Sequence, residues 1–362
     1  MRSLSLRALE EEARERLSPA VYDFFAGAAE DEVTMRANES AYARVGLVPR
    51  VMRGSGAPEL GVSLVGQRLA TPVLVAPTAF HRLAHPDGER ATARACATAG
   101  TVMIAAMAST VAIEEIVAAA RNATRDGLAP WFQLYIQPDL DFTAAVVGRA
   151  EAAGCAALVL SADSPAFGRR ERDLRNAFVD LPEGLCCENM RERGTGHSRP
   201  RSFVFSPELS WAHLDWLRKR TSLPILVKGI AHPDDARLAI EHGAAGVIVS
   251  NHGGRQLDGV PATLELLPAV AAAVGGKARV LLDGGIRRGS DVIKAIALGA
   301  HAVAIGRPAL WGLAIDGEAG VAQVLDMLRD EIARVLALCG CASLHEVKRE
   351  LVRFHDTSGA TC

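Results

Sequence analysis

Eight short apolar runs, each followed by a helical pattern, constrain this chain more than any other feature. They cover residues 73–76, 102–105, 131–135, 157–161, 225–228, 246–250, 280–283 and 302–305. Each is too short for a helix, rich in Val, Ile or Leu, and bounded by Gly, Pro or Thr. Helical patterns lie between them at 89–99, 112–120, 142–153, 234–241, 264–273 and 291–298. Strands that are apolar on both faces and alternate with helices form a parallel sheet. Eight such units in roughly 250 residues predict an α/β fold of the closed (β/α)8 TIM-barrel type. An open doubly wound sheet is the alternative, but it would collect its polar residues at one switch point. Here they recur at the ends of seven of the eight runs.

Composition sets the outer limits. With 362 residues, 49% of them hydrophobic, the chain can bury one large core, and 1–362 reads as a single barrel domain. A net charge of -2, with only the mixed Arg169-Arg170-Glu171-Arg172 cluster, predicts no nucleic-acid partner. The seven cysteines form no Cys-x-x-Cys pair. Cys186-Cys187 and Cys339-Gly340-Cys341 are poorly spaced for zinc, so no metal is expected and the thiols read as reduced, in a cytoplasmic protein. Residues 1–17 are charged, without the apolar segment of a secretory leader, and no stretch predicts a membrane span.

Two pieces lie outside the barrel pattern. Residues 1–70 read as a mainly helical extension, where Ser18-Pro19 makes a helix start and Val21, Phe24, Phe25 and Ala28 share a face. Residues 176–206 are rich in Arg, Glu, Gly and Pro without clear period. A loop that long reads as a mobile lid over the strand ends, with a plain spacer as the alternative.

The strand ends carry the chemistry. The first run leads into Pro77-Thr78-Ala79, and the third contains Gln133 and Tyr135. The fourth ends in Ser161-Ala162-Asp163, the fifth in Lys228-Gly229, and the sixth in Ser250-Asn251-His252. The seventh ends in Asp283-Gly284-Gly285-Ile286-Arg287 and the eighth in Gly306-Arg307. In a barrel these ends meet at one mouth, where this fold places its active sites. His252 and Arg255 sit three residues apart in a glycine-bent turn: a base and an anion clamp, the pair that oxidation of a 2-hydroxy acid requires. A surface turn is the plainer reading of a lone His-Gly-Gly. The last two loops predict a phosphate site, with glycines that let the backbone approach the oxygens. That pattern specifies a phosphate group, not the molecule that carries it.

The segments 76–79, 84–89, 131–135, 168–171, 223–229, 250–258, 282–289 and 306–308 closely resemble the FMN-dependent 2-hydroxy-acid oxidase and dehydrogenase family. The family includes glycolate oxidase, lactate oxidase, mandelate dehydrogenase and 4-hydroxymandelate oxidase. The resemblance is collinear over nearly the whole chain. It implies FMN as cofactor, a barrel with an N-terminal helical extension, and assembly as a tetramer or octamer. By position, it implies that His252 is the base, with Asp163 pairing with its imidazolium. Arg255 and Arg170 would bind the substrate carboxylate, and Tyr135 would hydrogen-bond near the substrate hydroxyl or carboxylate. Lys228 would lie at the pyrimidine edge of the flavin, where its charge stabilises the reduced ring. Pro77, Thr78, Ala79, Gln133, Ser161 and Ser250 would line the isoalloxazine. Asp283, Gly284, Gly285, Arg287, Gly306 and Arg307 would hold the rest of FMN, its phosphate above all.

Two positions depart from the glycolate oxidase pattern. Phe24 stands where a tyrosine donates to the substrate carboxylate, and Ala108 stands where an indole is usual. Losing a donor to a charged group costs about 1.5–3 kcal/mol, whereas buried aryl surface gains roughly 25 cal/mol per Å². The resemblance therefore implies oxidation of an aryl or bulky (S)-2-hydroxy acid, mandelate-like, to the 2-oxo acid. Phe24 as plain core is the competing reading. Ala79 matches the oxidases, which implies oxygen as acceptor and hydrogen peroxide as product. A lactate or mandelate dehydrogenase using another acceptor is the alternative. Hydride transfer and a carbanion route are not distinguished. A non-redox barrel enzyme acting on a phosphorylated substrate and a silent binding module are the remaining rivals. The complete set His252, Asp163, Arg255, Arg170, Lys228 and Tyr135 argues against the second.

Overall fold

The structure, a computed structural model, describes residues 4–54, 56–124, 127–191 and 200–355. Eight parallel strands form its centre: β1 (Val73–Val75), β2 (Ile104–Ala105), β3 (Trp131–Leu134), β4 (Leu158–Ser161), β5 (Ile225–Ile230), β6 (Gly246–Val249), β7 (Arg279–Asp283) and β8 (Ala302–Ile305). Strands β2 to β8 pair in sequence order, and β8 pairs with β1. A parallel bridge between Val75 and Met103 joins β1 to the β2 edge. The sheet therefore closes into a (β/α)8 barrel, and each predicted run overlaps one strand. A doubly wound sheet would instead reverse its order at a switch point.

Among the described residues, twelve α-helices accompany it: α1 (Leu6–Arg16), α2 (Pro19–Ala26), α3 (Val33–Ala43), α4 (Gly88–Thr98), α5 (Ile113–Ala123), α6 (Leu140–Ala153), α7 (Glu171–Arg175), α8 (Trp211–Arg218), α9 (Pro233–Glu241), α10 (Thr263–Val274), α11 (Gly289–Ala297) and α12 (Arg307–Cys339). Helix α12 breaks at Asp316 and Gly317, whose backbone angles are not helical. Ser18 caps α2 as expected, with its hydroxyl accepting from Val21 N. Ala28 lies beyond the end of that helix.

The two-residue period of a strand sorts its side chains. Leu74, Ile104, Trp131, Val159, Leu226, Ile248 and Leu281 form one buried cluster inside the barrel, while their neighbours Val73, Met103, Phe132, Leu158, Val227, Val247 and Leu282 pack outward against the helices. Leu64 and Leu69 join the inner cluster from a hairpin of Val62–Leu64 and Gln67–Leu69. A second short pairing, Val45–Leu47 with Val352–Phe354, ties the N-terminal extension to the C-terminal region. Both pairings were absent from the mainly helical expectation for residues 1–70. Strands of three residues fall below the length at which alternation is readable.

The stretch expected as a lid, 176–206, is part of the wall of a large cavity at the C-terminal ends of the strands. Its segment 192–199 lies outside the described residues. On either side, Phe178, Val179, Leu181, Phe203 and Phe205 face the cavity. This makes the loop more apolar towards the interior than its composition indicated.

Candidate active site

The same period sets the rim. Counting two residues on from Trp131, Val159, Leu226, Ile248 and Leu281 leads to Gln133, Ser161, Lys228, Ser250 and Asp283. All five are buried and fall into two linked groups, Gln133 with Ser161 and Lys228 with Ser250 and Asp283. Gln133 Nε2 donates to Ser161 Oγ at 3.1 Å, while Gln133 Oε1 accepts from Met107 N at 3.2 Å. Lys228 Nζ donates to Ser250 Oγ at 2.9 Å and lies 3.3 Å from Asp283 Oδ2. Burial alone would lower the Lys228 pKa, but Asp283 and Asp163 outweigh it and raise it, so the ammonium is a fixed charge. Gln133, Lys228 and Asp283 face the cavity. Ser161 and Ser250, expected against the isoalloxazine, are buried and hydrogen-bond to Gln133 and Lys228, whose side chains they orient.

The turn after β6 aims the imidazole. His252 has a φ of 57° and is followed by Gly253 and Gly254, both also left-handed. Its Nδ1 lies 3.1 Å from each oxygen of Asp163, and its Nε2 lies 3.3 Å from Tyr135 Oη. The carboxylate is placed to hold a proton on Nδ1, which turns Nε2 towards Tyr135 and the cavity. Burial pushes Asp163 up, but the charge and hydrogen bond of His252, with Lys228, overcome this and hold it at about 2. A Cβ on Gly229 would sit 2.5 Å from Asp163 Cβ, so the glycine after Lys228 makes room for the carboxylate. Burial raises the Tyr135 phenol, which keeps it a neutral donor.

The guanidinium groups converge on Phe24. The Arg255 and Arg170 carbons lie 5.2 and 5.8 Å from its ring centroid. Arg255 Nη1 donates to the carbonyls of Phe24 and Gly27 at the end of α2. Burial, then Arg170, then Arg307 lower the Arg255 pKa to about 9. It stays protonated at neutral pH, in a cluster of positive charge short of anions. Arg170 Nε lies 2.8 Å from Asp173 Oδ2, yet that atom is without a well-directed hydrogen bond. The ion pair is close but misaligned.

Arg307 departs from the expected role. Its guanidinium donates to the carbonyls of Phe25, Ala26, Gly27 and Gly253. It braces α2 against the His252 turn and does not point a free fork at the cavity. Its backbone N–H, at the start of α12, belongs to the first turn of a helix, whose donors have no intrahelical acceptor. The glycine expectation also changes. A Cβ on Gly285 would lie 2.1 Å from the Asn38 carbonyl, and one on Gly284 would lie 2.8 Å from Thr263 Oγ1. Close approach of α3 and α10 is enough to require glycine there.

The cavity measures about 750 Å³ and also presents Pro77, Thr78, Ala79, Ala108 and Gly306. Cofactor sites occupy about 300–1,000 Å³. Residues 13–354 match the FMN-dependent dehydrogenase family. The chain belongs to that family. Its cofactor is FMN, and its activity is that of a 2-hydroxy-acid oxidase. L-lactate oxidase of Nostoc sp. is 45% identical, over 95% of this chain and 96% of its own. 2-Hydroxyacid oxidase 1 of Homo sapiens is 42% identical, over 97% of each. The structure of mandelate oxidase with benzoyl-formic acid superposes with a TM-score of 0.88 at 42% identity, over 97% of this chain and 98% of that one.

The residues present fit FMN. Asp283 Oδ1 and Arg287 Nε are buried without a hydrogen-bond partner, which is costly unless a ligand supplies one. An unmet acceptor and an unmet donor along one loop suit a hydroxylated chain ending in a phosphate. Arg287 is already braced by Glu39 at 2.8 Å.

Several residues at the site were not anticipated. Asn38 and Asn251 exchange amide hydrogen bonds of 2.8 and 2.9 Å and dock α3 onto the loop after β6. Phe80 and Phe178 flank Phe24 with centroids at 5.4 and 4.9 Å. Asn251 lay in the Ser250-Asn251-His252 strand end with no role assigned to it, and Asn38 lay in no motif. Phe178 lay in a stretch without period. Among the described residues, the cysteines at 96, 155, 186, 187, 339 and 341 are free thiols, no group of side chains suits a metal ion, and no helix is long and apolar enough to cross a membrane.

Proposed function

We propose that this chain oxidises an aryl or similarly bulky (S)-2-hydroxy acid to the 2-oxo acid, passing the electrons to oxygen and releasing hydrogen peroxide. The observation that carries this reading is the placement of His252 Nε2 and the Arg255–Arg170 cluster beside a wall of phenyl rings. Bound FMN supplies the two-electron acceptor. The arginines bind the substrate carboxylate, and Arg255, charged and buried, gains most from an anion. Tyr135 donates to the substrate and, with the carboxylate clamp, turns its hydroxyl-bearing carbon towards His252. His252 Nε2 takes a proton, and Asp163 stabilises the imidazolium that results. Lys228, beside Gln133, presents positive charge where negative charge develops. Asp283 and Arg287 would hold the ribityl chain and phosphate.

The size preference rests on Phe24, Phe80, Phe178 and Ala108. Three rings and a methyl group offer apolar surface and no donor, which favours a ring over the hydrogens of glycolate. The solved relatives include a mutant of mandelate oxidase with (S)-mandelic acid and mandelate oxidase with (S)-2-phenylpropionate. The curated relatives include glycolate and lactate oxidases, and the apolar side-chain pocket is what supports the aryl reading among these substrates. The test is an anaerobic substrate panel followed by admission of oxygen. (S)-Mandelate is expected to bleach the flavin with a higher kcat/KM than glycolate or lactate, and oxygen to restore the absorbance with one equivalent of peroxide. Preference for glycolate sinks the aryl assignment. Reoxidation by quinones or dyes but not oxygen sinks the acceptor.

A further inference from the structure

One buried titratable side chain beside the cavity takes no part in this chemistry. The His81 imidazole is 1% exposed and is engaged at both nitrogens. Nε2 lies 2.7 Å from Thr78 Oγ1, and Nδ1 lies 3.0 Å from Thr92 Oγ1. Thr78 faces the cavity, while Thr92 is buried on α4. A chain of hydroxyl, imidazole and hydroxyl therefore runs from α4 to the cavity wall. The backbone that carries it is held independently of the ring. Phe80 takes a φ of 62° and donates to the Ala108 carbonyl at 3.2 Å. His81 N donates to the buried Glu89 carboxylate at 3.1 Å, and the same carboxylate accepts from Thr110 N and Oγ1.

Burial lowers the His81 pKa against the opposing pull of Glu89 and the Thr78 backbone, so the ring is neutral, with one N–H and one lone pair. Each nitrogen then meets a hydroxyl that can donate or accept. A threonine hydroxyl left alone rotates to suit its surroundings. This one is held by a ring that is itself pinned at the far side.

We infer that His81 is a positioning residue for the flavin: it fixes the direction of the Thr78 hydroxyl where the isoalloxazine binds. This rests on FMN binding in the cavity as proposed above, with its ring against Thr78 as the family resemblance implies. The test is a double-mutant cycle on the holoenzyme, with Thr78→Val, His81→Phe and both together. FMN release on dilution is read by flavin fluorescence, and the midpoint potential of bound FMN is measured alongside. Each single variant is expected to weaken FMN about three- to tenfold, the effect of one lost hydrogen bond, or to shift the potential. A tenfold change in the ratio of oxidised to reduced affinity is about 30 mV for two electrons. The double variant should be no worse than Thr78→Val, because His81 acts through that hydroxyl. Thr92→Val removes the far anchor without touching the cavity and should produce part of the same shift.

Additive losses in the double variant overturn the inference. So does a His81→Phe protein with a lower Tm but unchanged FMN affinity and potential. Should His81→Phe not fold, unchanged FMN affinity and potential in Thr92→Val overturn it. Wild-type protein that binds no FMN would overturn the FMN placement as well. An additive cycle in wild-type and variant proteins that all bind FMN and bleach with substrate removes the His81 role alone.

Discussion

Replacing Asp163 by asparagine keeps the shape of the side chain and removes its charge. The isostere fits, since Asp163 packs against Gly229, where a Cβ would come within 2.5 Å. Two estimates bound the effect. The fall of the Asp163 pKa from 3.8 to about 2 corresponds to roughly 2.5 kcal/mol in favour of the ionised pair. Unit charges at the 3.1 Å separation of His252 and Asp163 attract by about 5 kcal/mol at an effective dielectric of about 20, before the cost of burial is subtracted. A loss of roughly 2.5–4 kcal/mol in the step that charges the imidazole slows it about a hundred- to a thousandfold. Anaerobic stopped-flow mixing with mandelate measures that step directly as flavin bleaching. FMN should remain bound, because Asp163 stands behind His252 and does not line the cavity. A variant that holds FMN and is reduced within tenfold of the wild-type rate would refute the role of the carboxylate.

The same pair predicts an acid limit to stability. Asp163 has a lower pKa folded than unfolded, so its contribution is full above about pH 4 and is lost as the pH falls through about 2. Denaturant melts of wild type and Asp163→Asn at falling pH should therefore converge in that window. A constant difference between the two proteins refutes the linkage. Ala108→Trp should lower kcat/KM for mandelate by about 5- to 100-fold, the cost of overpacking the aryl pocket, and leave glycolate little changed. Equal losses for both substrates would mean that Ala108 does not face the side chain. Arg255→Met should raise the KM for mandelate about 10- to 100-fold through loss of a charged hydrogen bond, with FMN retained. Steady-state kinetics checks this, and an unchanged KM moves the carboxylate site elsewhere.

Local pattern determined the barrel. Burial on both faces forces continuous apolar runs, and helices between parallel strands force their repeat, so both left a trace of the right period in the sequence. The end of each run, one strand-period beyond the last apolar inward residue, told where Gln133, Lys228 and Asp283 would point. Sequence spacing likewise put His252 and Arg255 in one turn. Only the tertiary structure decided which of these groups remained free to meet a ligand. Arg307 is bound by carbonyls of α2 some 280 residues away, and Gly285 is glycine because Asn38 of α3 presses on it. The aromatic wall around Phe24 joins α2 with Phe80 and Phe178 from two separate loops, and the buried His81 is tied to a helix beyond it. Such contacts are made between distant segments when the chain closes on itself. They obey no local period, and a sequence read residue by residue holds no record of them.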